Sequence, residues 1–287
     1  MDGVSDLLEF REVSLRFGGV QALSHVSFIV ANDELLAVIG PNGAGKTSIF
    51  NCLNGVYRPQ QGSIRLEGTE LIGRRPAAIA ALGVARTFQN LALFTNLDVV
   101  DNLMLGRHHL MRTGFVSGAL WWGRAKSEEV SHRRRCEEII DLLELQPYRH
   151  ARVGTLPYGI KKRIELARAL CMDPKLLLLD EPVAGMNLEE TEDTARYILE
   201  VRERLGISVI LVEHDMRMVM DIADRVVVLD FGLVIATGAP AEVQSDPAVI
   251  AAYLGTPAEA VAGTGEHPAA AGGGAKAAAA ASWWADR

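Results

Sequence analysis

The sequence GPNGAGKT at residues 40–47 decides the fold of this chain, because it has the form G-x-x-x-x-G-K-T of a phosphate-binding P-loop. The apolar run LLAVI at residues 35–39 predicts a buried strand before it, and SIFNCL at residues 48–53 predicts a helix after it. Glycines let backbone N–H groups surround an anion, and the helix N-terminus adds a positive dipole end. This strand, loop and helix therefore predict a site for the phosphates of a nucleotide.

Two side chains of the loop suit the chemistry of a nucleoside triphosphate. Lys46 is expected to reach the β- and γ-phosphates, and the Thr47 hydroxyl is expected to ligate Mg²⁺. The predicted cofactor-binding residues here are Gly40, Pro41, Asn42, Gly43, Ala44, Gly45, Lys46, Thr47 and Ser48. Nucleotide binding alone does not say what the energy of hydrolysis drives.

The composition is that of an ordinary globular protein. Its 287 residues suffice for one large domain or two small ones, and 49% are hydrophobic while 23% are charged. The net charge of -7 disfavours nucleic acid as a partner, since nucleic-acid binding requires a basic surface. The N-terminus shows no signal-peptide pattern, and no apolar run reaches the roughly 18 residues of a membrane span. We expect a protein of the cytosol or of the cytosolic face of a membrane.

The apolar pattern predicts an α/β protein whose core sheet is mostly parallel. Residues 7–30 predict two strands around Gly18-Gly19 and residues 62–66 a third, the basis of an N-terminal antiparallel β subdomain. A short helix is expected to begin at Pro76, and a strand over residues 83–88 is expected to lead to Gln89.

Residues 95–170 predict an inserted α-helical subdomain. One helix is expected to begin at Asp101, and residues 128–145 predict an amphipathic helix whose apolar face includes Cys136. Residues 133–135, all arginine, are interpreted as a solvent-exposed face of that helix. The pair Trp121-Trp122 has two interpretations, packing within the subdomain or an anchor for a partner. The three cysteines, Cys52, Cys136 and Cys171, are expected to be small buried apolar residues of a reducing compartment.

Beyond the helical region, strands and helices alternate again. Residues 156–170 predict a turn followed by a helix, and residues 188–205 predict a second helix. Residues 175–179, 207–212 and 225–229 predict strands. From residue 256 to 287 the sequence is rich in Ala and Gly, and we expect a disordered tail. Trp283-Trp284 within this tail has the alternative interpretation of an anchor.

A carboxylate at a strand end completes the chemistry of the P-loop. Asp180 follows the apolar run LLLL at residues 176–179, the pattern of a Walker B strand, and is expected to hold Mg²⁺ through water. Glu181 follows directly, where a carboxylate can orient or deprotonate an attacking water. The sequence therefore assigns Asp180 to the metal and Glu181 to catalysis.

The order of these motifs resembles that of the ATP-binding subunits of ABC transporters over residues 7–255. The matching positions are residues 40–47, Gln89, residues 156–160, Asp180-Glu181 and His214. The resemblance implies that Phe17 stacks on adenine, that Gln89 ligates Mg²⁺ and senses a membrane partner, and that His214 contacts the γ-phosphate. It also implies ATP and Mg²⁺ as cofactors and an ATPase whose catalytic residues are Glu181, His214 and Gln89.

Two segments depart from the family's pattern. The family's signature segment usually reads L-S-G-G-Q, whereas residues 156–160 read LPYGI. Pro157 has neither the hydroxyl of that serine nor an N–H, while the helix N-terminus and Gly159 can still receive an anion. Pro157, Tyr158 and Gly159 are therefore interpreted as a divergent signature that contacts ATP on the opposing subunit. Where many members have Asp, this chain has Asn187, which together with Glu190 predicts a helix N-cap.

Within the family, several segments resemble the subunits that serve branched-chain amino acid uptake. These are residues 83–103, which contain ARTFQ, the helical insertion that follows, AGMN at residues 184–187 and AVIAAYLGT at residues 248–256. Uptake systems for urea, amides or aromatic acids share much of this pattern. The resemblance implies a second ABC ATPase subunit, the same or a similar one, membrane permease subunits and, indirectly, a periplasmic or extracellular solute-binding protein. It places the chain at the cytoplasmic side of the inner (plasma) membrane.

A rival function is that of a soluble ABC ATPase acting on nucleic acid or the ribosome. Translation-type members usually carry two tandem ATPase domains and repair-type members carry long coiled coils, whereas this chain has one motif set and no sustained heptads. A second rival is a P-loop kinase or GTPase, of which a GTPase would need the motif N-K-x-D, which the sequence lacks. The sequence therefore favours the importer ATPase.

Overall fold

The computed structural model describes residues 6–87, 92–110 and 124–254; Gln89, Trp121-Trp122 and the tail of residues 256–287 lie outside this range. The strands are β1 (Asp6–Phe17), β2 (Val20–Ala31), β3 (Leu35–Ile39), β4 (Gln61–Leu66), β5 (Thr69–Glu70), β6 (Val84–Arg86), β7 (Leu176–Asp180), β8 (Ser208–Val212), β9 (Arg225–Asp230) and β10 (Leu233–Gly238). The helices are α1 (Lys46–Leu53), α2 (Pro76–Ala81), α3 (Val99–Arg107), α4 (Arg124–Leu142), α5 (Tyr158–Leu170), α6 (Leu188–Leu205), α7 (Met216–Ile222), α8 (Pro240–Ser245) and α9 (Pro247–Leu254).

The main sheet has the strand order β10-β9-β3-β8-β7-β6. All of its pairings are parallel except that of β9 with β10, so the predicted mostly parallel sheet is confirmed. Strand β3 lies in the interior, between β9 and β8. Its carboxyl end therefore opens into the P-loop beside the carboxyl ends of its parallel neighbours, the edge where α/β sheets bind their ligands.

Both faces of the main sheet are covered, which explains why β3 is apolar at every position. In β3, the side chains of Leu35, Ala37 and Ile39 belong to a core shared with α3, α4, α5 and α6. The alternate side chains of Leu36 and Val38 belong to a second core, shared with α1 and the antiparallel sheet. The two-residue period of the strand thus divides its side chains between two cores.

The second sheet is antiparallel, in the order β2-β1-β4-β5. Phe10 of β1 pairs with Phe28 of β2, and their rings stack with centroids 4.7 Å apart. The side chains that this sheet buries pack with Phe50 and Leu53 of α1. The helix that begins at the P-loop therefore lies between the two sheets and belongs to the core of both.

Several predicted boundaries were wrong by a few residues. Helix α1 begins at Lys46, inside the P-loop, and not at Ser48. Helix α3 begins at Val99 and not at Asp101, because Asp98 caps it through a 2.8 Å bond from the Asp101 N–H to its carboxylate. The strand predicted over residues 83–88 is described only as Val84–Arg86, with Phe88 outside the described range.

Other predictions about helices are confirmed. Helix α6 spans the predicted residues, and Asn187 forms a capping box in which its side chain accepts the N–H of Glu190 at 2.9 Å. Cys136 on α4 is fully buried, and Arg133 and Arg134 are exposed as predicted. Arg135, predicted to share their solvent-exposed face, is half-buried because its Nε donates to Asp173 Oδ1 at 2.8 Å. The sequence did not predict β5, β10, α8 or α9.

The three cysteines are free thiols and all are buried, as predicted. Burial raises the pKa of Cys52 to about 12, so its thiol is held in the unreactive protonated form. Within residues 6–87, 92–110 and 124–254, no helix combines the length and the apolar character needed to cross a bilayer.

Candidate nucleotide site

The P-loop contacts the backbone of the end of β9 and of the turn that follows it. Gly40 has a φ of 149°, and a Cβ at this position would lie 2.1 Å from the carbonyl oxygen of Leu229. The N–H of Gly232 donates to the carbonyl oxygen of Ala44 at 2.9 Å. Only glycine fits at position 40, and the loop is fixed by residues far away in sequence.

The front of the loop is open. Asn42, Gly43 and Thr47 are exposed, Pro41, Gly45 and Ser48 are half-buried, and Ala44 is buried. No side chain caps α1 at its N-cap residue Gly45. The first turn of α1 therefore presents backbone N–H groups and the positive end of its dipole toward the loop, the arrangement that binds phosphate.

The side chain of Lys46 folds back over this loop. Its Nζ donates to the carbonyl oxygens of Gly40 at 2.6 Å and Pro41 at 3.0 Å. Burial lowers the pKa of Lys46 from its ordinary value, and the nearby carboxylates of Glu181 and Asp180 oppose that shift. The ammonium thus lies where the loop meets the two carboxylates at the end of β7.

Asp180 is fixed by an arginine that the sequence reasoning missed. One guanidinium nitrogen of Arg86 donates to Asp180 Oδ2 at 2.7 Å, and another donates to Asn51 Oδ1 at 2.7 Å. The guanidinium also lies over the ring of Phe50, 5.4 Å from its centroid. The side chains of Arg86 and Asp180 are 10% and 7% exposed. Arg86 therefore joins β6, β7 and α1 at the predicted metal-binding carboxylate.

Glu181 and His214 lie side by side at the ends of neighbouring strands. Glu181 has a φ of 47°, a left-handed conformation that is uncommon outside glycine. Its N–H donates to the carbonyl oxygen of Val212 at 2.8 Å, which ties it to the end of β8. Its Oε1 lies 3.7 Å from Nδ1 of His214, whose side chain is 56% exposed. The structure thus brings together the two predicted catalytic residues that it describes.

Glu213 is a second carboxylate that the sequence reasoning missed. Its side chain is 0% exposed. Its Oε1 accepts the N–H of Val183 at 3.0 Å and its Oε2 accepts the N–H of His214 at 3.0 Å. Burial raises the pKa of Glu213, and these backbone hydrogen bonds oppose the rise. The signal in the sequence was a charged residue between the apolar run of residues 207–212 and His214.

Phe17 lies at the end of β1 with its side chain partly in solvent, at 46% exposure. Its ring meets that of Tyr57 edge to face, with centroids 4.9 Å apart and planes at 72°. This contact fixes one edge of the Phe17 ring and leaves an aromatic surface on which a base can stack.

The predicted signature residues lie at the start of α5. Pro157 is the N-cap residue of this helix and makes no side-chain cap bond. The hydroxyl of Tyr158 donates to the carbonyl oxygen of Ala184 at 3.2 Å. A Cβ at Gly159 would lie 2.6 Å from Oε1 of Glu190. This segment therefore packs against the loop that follows Glu181 and the start of α6.

Comparison with known proteins decides the family. The family model described as ABC transporter matches residues 23–184. The high-affinity branched-chain amino acid transport ATP-binding protein BraF of Pseudomonas aeruginosa is 40% identical over 252 residues, which cover 87% of this chain and 98% of BraF. The chain belongs to the ATP-binding subunits of ABC transporters. As a member of that family it binds ATP and is a transport-coupled ATPase.

Further comparisons support the assignment of this chain to the ATP-binding subunits of ABC transporters. LivG of Escherichia coli K12, a high-affinity branched-chain amino acid transport ATP-binding protein, is also 40% identical over 252 residues, 87% of this chain and 98% of LivG. A model described as branched-chain amino acid ATP-binding cassette transporter matches residues 234–259. The ADP conformation of MJ1267, an ATP-binding cassette of an ABC transporter, superposes with a TM-score of 0.76 at 27% identity, covering 88% of this chain and 100% of that one. The predicted P-loop NTPase fold is confirmed.

Proposed function

We propose that this ABC subunit hydrolyses ATP to drive the uptake of branched-chain amino acids through separate membrane permease subunits. The observation that carries the proposal is the 40% identity to BraF over 87% of the chain. The match of residues 234–259 to the branched-chain amino acid type of cassette supports it independently, because this region lies beyond the ABC transporter match. The relatives' transport roles favour this proposal over action on nucleic acid or the ribosome.

In this proposal the P-loop and Lys46 hold the triphosphate. Lys46 Nζ now donates to two loop carbonyls, at 2.6 Å and 3.0 Å, and a bound phosphate would offer it charged oxygens instead. The exposed residues Asn42, Gly43 and Thr47 line the opening through which the phosphates enter. Phe17 stacks on the adenine, since its ring is exposed and braced by Tyr57.

Thr47, Asp180 and Gln89 are the proposed ligands of Mg²⁺. The hydroxyl and carboxylate donors are hard oxygen ligands, and Mg²⁺ is usually held by one or two carboxylates together with substrate phosphates and water. Among the residues that the structure describes, no group of three or more His, Cys, Asp and Glu side chains forms a closed metal site. A single carboxylate beside a phosphate-binding loop fits this requirement. When bound, the metal neutralises charge on the β- and γ-phosphates.

Hydrolysis is assigned to Glu181, with His214 beside it. A carboxylate adjacent to the γ-phosphate can orient an attacking water and accept its proton. The 3.7 Å separation between Glu181 Oε1 and His214 Nδ1 allows the histidine to steady that carboxylate and to reach the same phosphate. Gln89, outside the described residues, is proposed as the third catalytic residue and as the contact that senses the permease.

A second ATPase subunit completes the proposed site. Pro157, Tyr158 and Gly159 would face ATP held by the opposing subunit, with α5 directing its N-terminus at the γ-phosphate. The ABC-type domain is proposed to span residues 7–255, with a helical subdomain over about residues 95–170. The assembly would lie at the cytoplasmic side of the inner (plasma) membrane and receive its solute through a periplasmic or extracellular binding protein.

Replacing Glu181 with Gln tests the catalytic assignment. We expect kcat for ATP hydrolysis to fall by about 10² to 10³, while binding of a fluorescent ATP analogue changes less than about twofold. Lys46→Ala is the contrasting variant, because loss of the ammonium should weaken nucleotide binding itself. Near-normal turnover by the Glu181→Gln protein would remove Glu181 from the mechanism.

Transport itself is tested in vesicles that contain the chain together with its permease subunits and solute-binding protein. We expect ATP-dependent accumulation of labelled leucine, abolished when the Glu181→Gln subunit replaces the native one. Labelled urea and phenylalanine serve as competing solutes. Accumulation of urea or phenylalanine in place of leucine would support the ATPase assignment and show that the proposed substrate is wrong.

A further inference from the structure

Glu213 binds two different loops of the site at once. Its Oε1 accepts the N–H of Val183 at 3.0 Å, and its Oε2 accepts the N–H of His214 at 3.0 Å. Val183 belongs to the loop that begins with Glu181 and ends at the N-cap of α6. One fully buried carboxylate therefore links the loop of the proposed base to the loop of the proposed γ-phosphate contact.

The two loops also meet at the catalytic side chains. His214 Nδ1 lies 3.7 Å from Glu181 Oε1 and 3.7 Å from Glu213 Oε2. The imidazole of His214 therefore has a carboxylate from each loop at the same distance. A shift of one loop relative to the other would change the separation of Glu181 and His214, and the two hydrogen bonds to Glu213 oppose such a shift.

Only a carboxylate can make both of these bonds. The groups to be satisfied are the backbone N–H donors of Val183 and His214, together with that of Asp215 at 3.5 Å from Oε2. An ionised carboxylate offers two acceptor oxygens and no donor. The isosteric amide of Gln offers one acceptor and one NH₂, which would face an N–H. Glu213→Gln therefore preserves the size of the side chain and breaks one of the two links.

The same loop is bonded to the signature segment of this chain. Tyr158 at the start of α5 donates its hydroxyl to the carbonyl oxygen of Ala184 at 3.2 Å, one residue after Val183. Hydrogen bonds thus run from His214 through Glu213 to the loop of Glu181 and on to α5. In this way, the segment proposed to face ATP on the opposing subunit is connected to the residues that would cleave the ATP bound by this subunit.

We propose that Glu213 is a positioning residue that couples the loop carrying Glu181 to the loop carrying His214, so that the two side chains reach the γ-phosphate together. The proposal rests on the assignment of Glu181 and His214 to ATP hydrolysis. Glu213 does not touch the nucleotide, and its effect is confined to the geometry of the hydrolytic step. ATP binding by the P-loop and Lys46 does not depend on it.

A double-mutant cycle between Glu213 and His214 tests the coupling. The variants Glu213→Gln, His214→Ala and the double variant are compared for kcat, KM for ATP and affinity for a fluorescent ATP analogue. We expect Glu213→Gln to lower kcat at least about tenfold and to change KM and affinity less than about twofold. In the His214→Ala background the same substitution should lower kcat less than about threefold, since coupled residues are not additive.

Glu165→Gln is the matched control, because Glu165 is also a buried carboxylate, at 2% exposure, and lies on α5. We expect it to lower the melting temperature and to leave kcat within about twofold of the native value. If Glu213→Gln is recovered unfolded, Glu213→Asp takes its place in the cycle, because it keeps the charge and shortens the reach by one methylene.

The outcomes separate the two proposals. If Glu181→Gln and His214→Ala both leave kcat unchanged, the assignment of the hydrolytic residues fails. If Glu181→Gln and His214→Ala lower kcat while the Glu213 variant does not, only the proposed coupling is wrong. The same conclusion follows if the Glu213 variant lowers kcat by the same factor in the native and the His214→Ala backgrounds.

Discussion

Arg86→Ala removes a buried guanidinium from the site that the structure forms around Asp180. The side chains of Arg86 and Asp180 are 10% and 7% exposed, so their 2.7 Å ion pair is largely shielded from water. A second 2.7 Å bond joins the guanidinium to Asn51 on α1. After the substitution the Asp180 carboxylate would stay buried, with the ammonium of Lys46 as a nearby positive charge.

The size of the effect follows from this burial. Removing one partner of a buried ion pair costs about 3–5 kcal/mol, because the other charge is left uncompensated. Since Lys46 lies close enough to offset part of that cost, we expect the free energy of unfolding to fall by about 3 kcal/mol. For a chain of this size each kcal/mol corresponds to about 2–4 °C, so the melting temperature should fall by about 6–12 °C.

Urea and heat denaturation of the nucleotide-free protein, followed by circular dichroism, measure this loss. Asn51→Ala is the matched control, because it removes one hydrogen bond and keeps the ion pair, and it should cost about 1 kcal/mol. Adding Asp180→Asn to Arg86→Ala removes the uncompensated charge and should recover most of the loss. A loss below about 1 kcal/mol for Arg86→Ala, or no recovery in the double variant, would refute the reasoning.

Two further substitutions test other contacts of the site. Gly40→Ala places a Cβ 2.1 Å from the carbonyl oxygen of Leu229, and we expect this variant not to fold. Gly43→Ala has nothing within 4 Å of its Cβ and adds only backbone strain. We therefore expect its free energy of unfolding, measured by urea denaturation, to fall by only about 1 kcal/mol. Equal stability of the two variants would contradict this packing of the loop. Phe17→Ala should weaken binding of a fluorescent ATP analogue about tenfold through loss of stacking, while Phe17→Tyr should bind within about twofold of the native protein. Unchanged affinity of the alanine variant would remove Phe17 from the adenine site.

Local sequence signals predicted the elements that carry the P-loop and the strand ends. Strand β3 is found at the predicted residues, because an apolar run before a P-loop has few alternatives. Helix α6 also matches its prediction, since Asn187 and Glu190 supply a capping box that a four-residue window reveals. Such features depend on neighbours in the sequence and need no tertiary contact.

The features that sequence reasoning missed depend on contacts between distant residues. Arg86 is one charge among apolar neighbours until its partner Asp180, 94 residues later, is placed beside it. Glu213 acquires its role only from the N–H of Val183, 30 residues earlier. The start of α1 at Lys46 follows from the tertiary packing of the P-loop, and the composition of residues 48–53 gives no information about that packing.

The position of β3 also determines when the main sheet can form while the chain is being synthesised on the ribosome. Its hydrogen-bonding partners are β8 and β9, with Leu36 opposite Ile210 on one side and Arg225 on the other. At about 5–20 residues per second, these partners leave the ribosome many seconds after β3 does. Throughout that interval a strand built to be buried on both faces has neither neighbour. We therefore expect nascent chains that end before β8 to bind chaperones through residues 35–39, and the ability to bind ATP to arise only as translation nears its end.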